Sequence, residues 1–442
     1  MFRRSQVSSA EVHETLKRHL LVDGYPLVID LEKSHGSIVR DGMSGRELID
    51  FYSFFASNPL GFNHPGMLDE RTRDRLAKTS VVKVANSDKY TTYFAEFVDT
   101  LSRTAAPPEL SKYFFVEGGA LAVENALKTA FDWKVRKNLA AGRGERGQKV
   151  LHLQHAFHGR SGYTMSLTNT DPNKVAYFPK FDWPRIPSPM IRFPLTDANV
   201  ADVEERERAA IAAAEAAFAK DPHDIAAIII EPIQSEGGDN HFRKNFFSEL
   251  RRLADEHEAL LIYDEVQTGV GSTGAWWAYQ HHGVKPDIVC FAKKMQVGGI
   301  LVGDRLDEVE DNVFHKPSRI NSTWGGGLVD MVRATRILEI IVDENLLENA
   351  RLRGEELRAG LEGIQARRPF VDNARGQGLM CAIDLPDAKM RDAAIKRCFA
   401  DGMLVLACGT RSIRFRPALN VTAEIIAEGV ARLDKALGEV SA

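Results

Sequence analysis

Two adjacent lysines, Lys293 and Lys294, follow directly on the apolar run Asp287-Ile288-Val289-Cys290-Phe291-Ala292. A run of that length and composition reads as a buried strand, so its mouth carries two amines at the edge of an apolar interior. Surface solvation is the ordinary account of a lysine pair; the chemical one is that an amine in a partly desolvated pocket has a lowered pKa and attacks carbonyl carbon. A carboxylate at a matching position favours the chemical account. Ala259-Leu260-Leu261-Ile262-Tyr263 is a second apolar run, and it ends in Asp264-Glu265-Val266-Gln267. An Asp at such a strand end can keep a pyridinium nitrogen protonated, which lets the ring accept electrons as a carbanion forms. A third run, Tyr113 to Val116, leads through Glu117-Gly118-Gly119-Ala120 into a helical segment, where backbone N–H groups can take a phosphate dianion. A plain tight turn is the competing account of those glycines.

Other chemistries fare worse. An apolar strand ending in Asp-Glu also suits the magnesium strand of an ATPase, but no G-x-x-x-x-G-K-[ST] occurs: Gly142 to Lys149 has the wrong spacing and Val150 after the lysine. Gly269-Val270-Gly271-Ser272-Thr273-Gly274 matches G-x-G-x-x-G, the dinucleotide pattern. It stands apart from the preceding strand, with Asp264 to Thr268 between, and no later strand ends in an acid for the ribose, so it reads as a glycine-rich turn. His152, His155 and His158 are three apart, and the period-two alternation of a strand does not put all three on one face, so no metal site is expected.

The elements that must position these residues alternate. Strands are predicted at Tyr113–Val116, Lys149–Leu153, Ile225–Ile230, Ala259–Tyr263 and Asp287–Phe291, with helices over Leu121–Asn138, Val203–Lys220 and Asn245–His257 between them. Strand, helix, strand implies a parallel sheet covered on both faces, with ligands at the carboxyl ends of the strands. Phe181 to Pro194 holds four prolines and reads as a long surface loop. After about Asp330 the pattern changes to one long helix, Met331 to Ala359, then short strands near Gly378 to Asp384 and Ile413 to Phe415, predicting a second, α+β unit. The expected division is 1–62 and 330–442 in a smaller unit and 63–329 in a large one.

Composition excludes several classes. With 442 residues, 44% hydrophobic and 27% charged, and a formal net charge of -4, there is no electrostatic reason to expect nucleic acid or an anionic membrane as partner. The four cysteines form no C-x-x-C pair, which indicates neither a disulfide framework nor a zinc site and suits the cytoplasm. Met1 to Ser5 is charged but followed by Gln6 to His13 rather than an apolar stretch, so the mature terminus is expected here, and no run is long enough to span a membrane.

Taken together, the chain resembles the class III, or ω-, aminotransferases of fold type I. The resemblance rests on six ordered matches: Asn63-His64-Pro65; Gly118-Gly119-Ala120 with Glu124 to Lys128; Phe157-His158-Gly159-Arg160; Glu231-Pro232-Ile233-Gln234; Asp264 to Gly269; and Lys294 with Gly298-Gly299 beyond it. It implies an α/β fold with a mainly parallel, seven-stranded-type sheet, pyridoxal 5′-phosphate as cofactor, and a homodimer with shared active sites. The residues alone do not choose between the two lysines; by the resemblance Lys294 carries the cofactor as a Schiff base, because the family's lysine precedes its Gly-Gly by this interval. It also implies that Asp264 binds the pyridine nitrogen, Val266 packs under the ring, Phe157 stacks above it, Gln267 faces the phenolic oxygen, and Gly119 and Ala120 take the phosphate. Thr323, beside Ser322, matches the segment that reaches the neighbouring subunit's phosphate, and Asn321 is placed on the substrate side.

Arg414 is implied as the grip for an α-carboxylate, Glu236 as the side chain that covers it while an ω-amine is bound, and Arg160 as a planar, bidentate grip for the far carboxylate. Phe51 to Gly61 and Phe115 to Glu124 look like the class members that act on L-lysine. The implied reaction moves the ε-amino group of L-lysine to 2-oxoglutarate, giving 2-aminoadipate 6-semialdehyde and L-glutamate, with 4-aminobutyrate or ornithine as the alternative donor. Ser272, where many relatives carry Arg, and Met295 depart from the pattern. An aminomutase or decarboxylase would use the same cofactor residues without forming glutamate.

Overall fold

The computed structural model describes residues 6–440. The expectation for Met1 to Ser5 lies outside them. The N-terminal segment supplies two short strands, β1 (Ile38–Arg40) and β2 (Glu47–Asp50). Seven strands follow: β3 (Lys112–Val116), β4 (Lys149–Leu153), β5 (Arg185–Ile186), β6 (Ile225–Ile230), β7 (Leu260–Asp264), β8 (Ile288–Phe291) and β9 (Gly298–Val302). They form one sheet in the order β3-β9-β8-β7-β6-β4-β5. β8, β7, β6, β4 and β5 run parallel, and β9 runs antiparallel to both its neighbours.

That reversal matters for the site. Gly298, the first residue of β9, pairs with Val116, the last of β3, so one edge of the sheet collects the end of β3, the start of β9 and the carboxyl ends of β4, β6, β7 and β8. β6, β7 and β8 are buried along their whole length, as strands covered by helices on both faces must be. Gly119–Ala140 packs against β6, β8 and β9, and Lys244–Glu256 against β7 and β6.

The C-terminal segment adds β10 (Asp372–Gln377), β11 (Met380–Asp384), β12 (Met403–Leu404), β13 (Leu406–Cys408) and β14 (Ser412–Phe415). β10, β11, β14 and β13 make an antiparallel sheet, and β12 pairs in parallel with β2, joining the two ends of the chain in one small sheet. Among the described residues no helix is long and apolar enough to cross a membrane.

Two expectations need correction. Phe181 to Pro194 is not a surface loop throughout: Arg185–Ile186 pairs with His152–Leu153 at the sheet edge, and Ile186 is buried. An edge strand needs ladder donors on one side only, so the prolines around it are tolerated. The long helix expected from Met331 to Ala359 is two helices, Leu328–Asp343 and Leu346–Arg367, broken where Asn345 takes a left-handed φ of 51°. Asn adopts that conformation more readily than most residues, because its short amide can bond locally.

Candidate active site

A cavity of about 440 Å³ opens at the collected sheet edge. Asp264, the last residue of β7, lies at its floor. Its Oδ1 accepts the backbone N–H of Val266 at 3.0 Å, and its Oδ2 is 2.8 Å from Nδ1 of His158. His158, read in the sequence only as one of three spaced histidines and as part of the Phe157-His158-Gly159-Arg160 match, is buried, and its Nε2 has no partner among the described residues. The other two histidines of the triplet go elsewhere: Nε2 of His152 accepts from Arg185 at 3.0 Å, and His155 is exposed.

A second buried carboxylate supports the wall. Glu231, just past β6, accepts the backbone N–H of Phe157 at 2.9 Å and of Ser235 at 3.2 Å. Burial, and then the charge of Asp264, push its carboxyl well above the usual range. Phe157 and Val266 both line the cavity, and Gly119 comes so close to Val266 that an added Cβ would lie 2.7 Å from its Cγ1. Gly118 takes φ +90°, which a residue with a Cβ adopts only under strain, and so turns the chain into the helix Gly119–Ala140 with its first N–H groups at the cavity.

The two lysines part company. Lys293–Met295 forms a single 3₁₀ turn, in which successive side chains diverge by about 120°. Lys293 lines the cavity. Burial, then Arg414, lower its amine from the ordinary lysine range, while Asp264 and Glu236 act the other way, and it has no hydrogen-bond partner among the described residues. Lys294 is buried outside the cavity lining, and its Nζ donates to the backbone oxygens of Gln267 at 2.7 Å and Ala56 at 3.3 Å. Lys294 as cofactor anchor therefore does not fit the geometry: its amine is engaged by carbonyls, and the lysine facing Asp264 across the cavity is Lys293. One of those carbonyls belongs to a left-handed turn, Ser53 to Ala56, with φ of 44°, 51°, 59° and 64°. Such a turn of non-glycine residues needs bonds to hold it.

Beside the cavity, NH2 of Arg414 on β14 lies 2.6 Å from Oε2 of Glu236, and NH1 donates to Oε1 of Gln267 at 3.1 Å. The other oxygen of Glu236 is 2.5 Å from Nζ of Lys174, a residue that sequence reasoning missed. Its only sequence signal was a positive charge in a polar turn. Although burial opposes it, Arg414 and Lys174 hold the Glu236 carboxyl below the usual range. Arg160 lines the cavity and is exposed, with no carboxylate against it among the described residues. Asn321 and Thr323 are also exposed but lie outside this cavity lining; the carbonyl of Thr323 accepts the hydroxyl of Ser87.

A nucleophilic amine, a fixed carboxylate, a helix N-terminus and two ring-sized walls fit a phosphorylated pyridine aldehyde, and His158 Nε2 marks the floor as built for polar bonding. Residues 22–437 match the family described as Aminotransferase class-III. The chain belongs to that family.

Relatives agree along the whole aminotransferase. It is 51% identical to the L-lysine-epsilon aminotransferase of Amycolatopsis lactamdurans over 97% of this chain and 95% of that one. Human mitochondrial 4-aminobutyrate aminotransferase is 32% identical, over 94% and 86%. A solved lysine aminotransferase from Mycobacterium tuberculosis, in the internal aldimine form, superposes with a TM-score of 0.96 at 50% identity, covering 98% of this chain and all of that one. The aminotransferase fold is α/β with a mainly parallel central sheet, and its cofactor is pyridoxal 5′-phosphate.

Proposed function

We propose that this aminotransferase moves the ε-amino group of L-lysine to 2-oxoglutarate, releasing 2-aminoadipate 6-semialdehyde and L-glutamate. The Arg414–Glu236 pair beside the cavity carries the proposal, with support from relatives named for lysine. An ω-amine brings only methylenes next to its reacting carbon, and 2-oxoglutarate brings a carboxylate. Arg414 covered by Glu236 suits the first; Arg414 uncovered suits the second.

Lys293 is proposed as the residue that carries the cofactor, with Asp264 at its pyridine nitrogen, Phe157 and Val266 on its two faces, Gln267 at its phenolic oxygen, and Gly119 and Ala120 at its phosphate. When bound, the cofactor supplies a carbonyl for the amine and an electron sink for the carbanion. Arg160 holds the α-carboxylate of lysine, which sets the ε-carbon near Lys293. Nζ of Lys293, with its lowered pKa, would take the proton from that carbon as general base and, as general acid, would deliver it to the carbon that was the cofactor's aldehyde. Asn321 and Thr323, exposed and away from their own cavity, are proposed to complete the site of a neighbouring subunit in a homodimer. We retain a cytoplasmic setting, supported by four free, buried cysteines, and the division into 1–62, 63–329 and 330–442, supported by the β2–β12 pairing.

A donor panel with 2-oxoglutarate tests the reaction. Lysine is expected to form glutamate at least tenfold faster than ornithine or 4-aminobutyrate. Preference for either of those would replace lysine as donor, and loss of donor amine without glutamate would point to a non-transferring enzyme.

A further inference from the structure

Glu236 is held by two cations, one on each oxygen: Arg414 at 2.6 Å and Lys174 at 2.5 Å. Its side chain is 23% exposed and that of Lys174 is 28% exposed, so neither group is freely solvated. The backbone around Glu236 is pinned, since its carbonyl accepts the N–H of Gly409 at 2.9 Å and Ser235 is tied to Glu231. Any movement that uncovers Arg414 is therefore a rotation of the Glu236 side chain. A carboxylate that leaves one cation in a half-buried place must keep another counter-charge or reach water.

Lys174 meets that need. It ends the short turn Pro172–Lys174, whose start is capped by Asp171 accepting the Asn173 N–H at 2.9 Å. Its ammonium lies 5.7 Å from the ring centroid of Phe157, a face attractive to cations. The turn holds the Lys174 backbone and the Phe157 ring gives its ammonium a second contact, and neither involves Arg414.

We infer that Lys174 is a positioning residue for the Glu236 gate: it keeps hold of the carboxylate when Arg414 is released, and so sets the balance between the ω-amine and the dicarboxylate half-reactions. Glu236 pivots on Lys174 rather than escaping to solvent. With Lys174 removed, the covered state keeps its Arg414 pair while the uncovered state loses the counter-ion bonded to its other oxygen. Opening becomes harder, and the penalty falls on the substrate that needs Arg414. The inference rests on the proposed roles of Arg414 and Glu236.

The test uses the holoenzyme and two ligands: L-lysine in its half-reaction, and glutarate, a dicarboxylate without a reacting carbonyl, followed by calorimetry. Lys174→Met is expected to weaken glutarate binding about fivefold, the scale of one partly exposed ion pair, and to leave the KM for lysine within twofold. Lys174→Arg is expected to restore glutarate binding. In a Glu236→Gln background, Lys174→Met is expected to change nothing, because there is no carboxylate left to hold. Equal weakening of both ligands, or weakening that persists in the Glu236→Gln background, would overturn the inference in favour of a structural or direct ligand role. Glu236→Gln separates the two levels. If it shifts the lysine-to-glutarate preference while Lys174→Met does not, only the role of Lys174 fails; if it leaves the preference unchanged, the gate fails and Lys174 with it.

Discussion

Nδ1 of His158 lies 2.8 Å from Oδ2 of Asp264, with both side chains out of solvent. A buried carboxylate needs its lone pairs filled to stay aimed, and here one oxygen is held by an imidazole and the other by the Val266 N–H. His158→Phe keeps the bulk and removes the bond. Cofactor affinity, measured by absorbance titration of the apoenzyme, is expected to fall about tenfold or more, the cost of losing a hydrogen bond to a charged group. An unchanged affinity would leave His158 a packing residue.

The two lysines give opposite phenotypes. Lys293→Ala is expected to abolish the borohydride-reducible chromophore and turnover, while peptide mapping of the reduced wild type finds the label on Lys293. Lys294→Met is expected to keep the chromophore and to lose about 1–3 kcal/mol of stability, because the carbonyls of Gln267 and Ala56 lose their donor. A label on Lys294 would reverse the assignment.

Gly119 tests the wall. Gly119→Ala places a methyl 2.7 Å from Val266 Cγ1 and is expected to weaken cofactor binding. Adding Val266→Ala should recover part of the loss by making room, a coupling read from a double-mutant cycle. Strict additivity would show that the close approach is unimportant.

Glu265 predicts a pH dependence of stability. Burial raises its carboxyl from 4.5 to about 7. Between those values the folded protein keeps a proton that the unfolded chain has released, so its contribution to stability falls as pH rises from 4.5 to 7 and then levels. Glu265→Gln does not titrate, so the Tm of the wild type relative to this variant is expected to drop across that window. A flat difference would mean that the carboxyl is ionised throughout.

Much of the fold was legible because strands buried on both faces are short apolar runs and their helices are long. Lys149–Leu153 and Ile225–Ile230 were readable to the residue. Misreadings fell where the local signal is weak. A two-residue edge strand among prolines has no periodicity, and the break at Asn345 interrupts an amphipathic pattern by a single backbone angle.

By itself the sequence determined the kind of site: an amine, an acid and a phosphate cradle at the ends of three strands, in an order that marks the family. Tertiary structure decided which side chains face one another. Lys293 and Lys294 are chemically identical, and only the turn after β8, with Gln267 and Ala56 as acceptors for one of them, sends the other to the cavity. His158 against Asp264 and Lys174 against Glu236 join residues 106 and 62 positions apart. Composition and spacing report what a residue can do; which partner it meets depends on long-range packing.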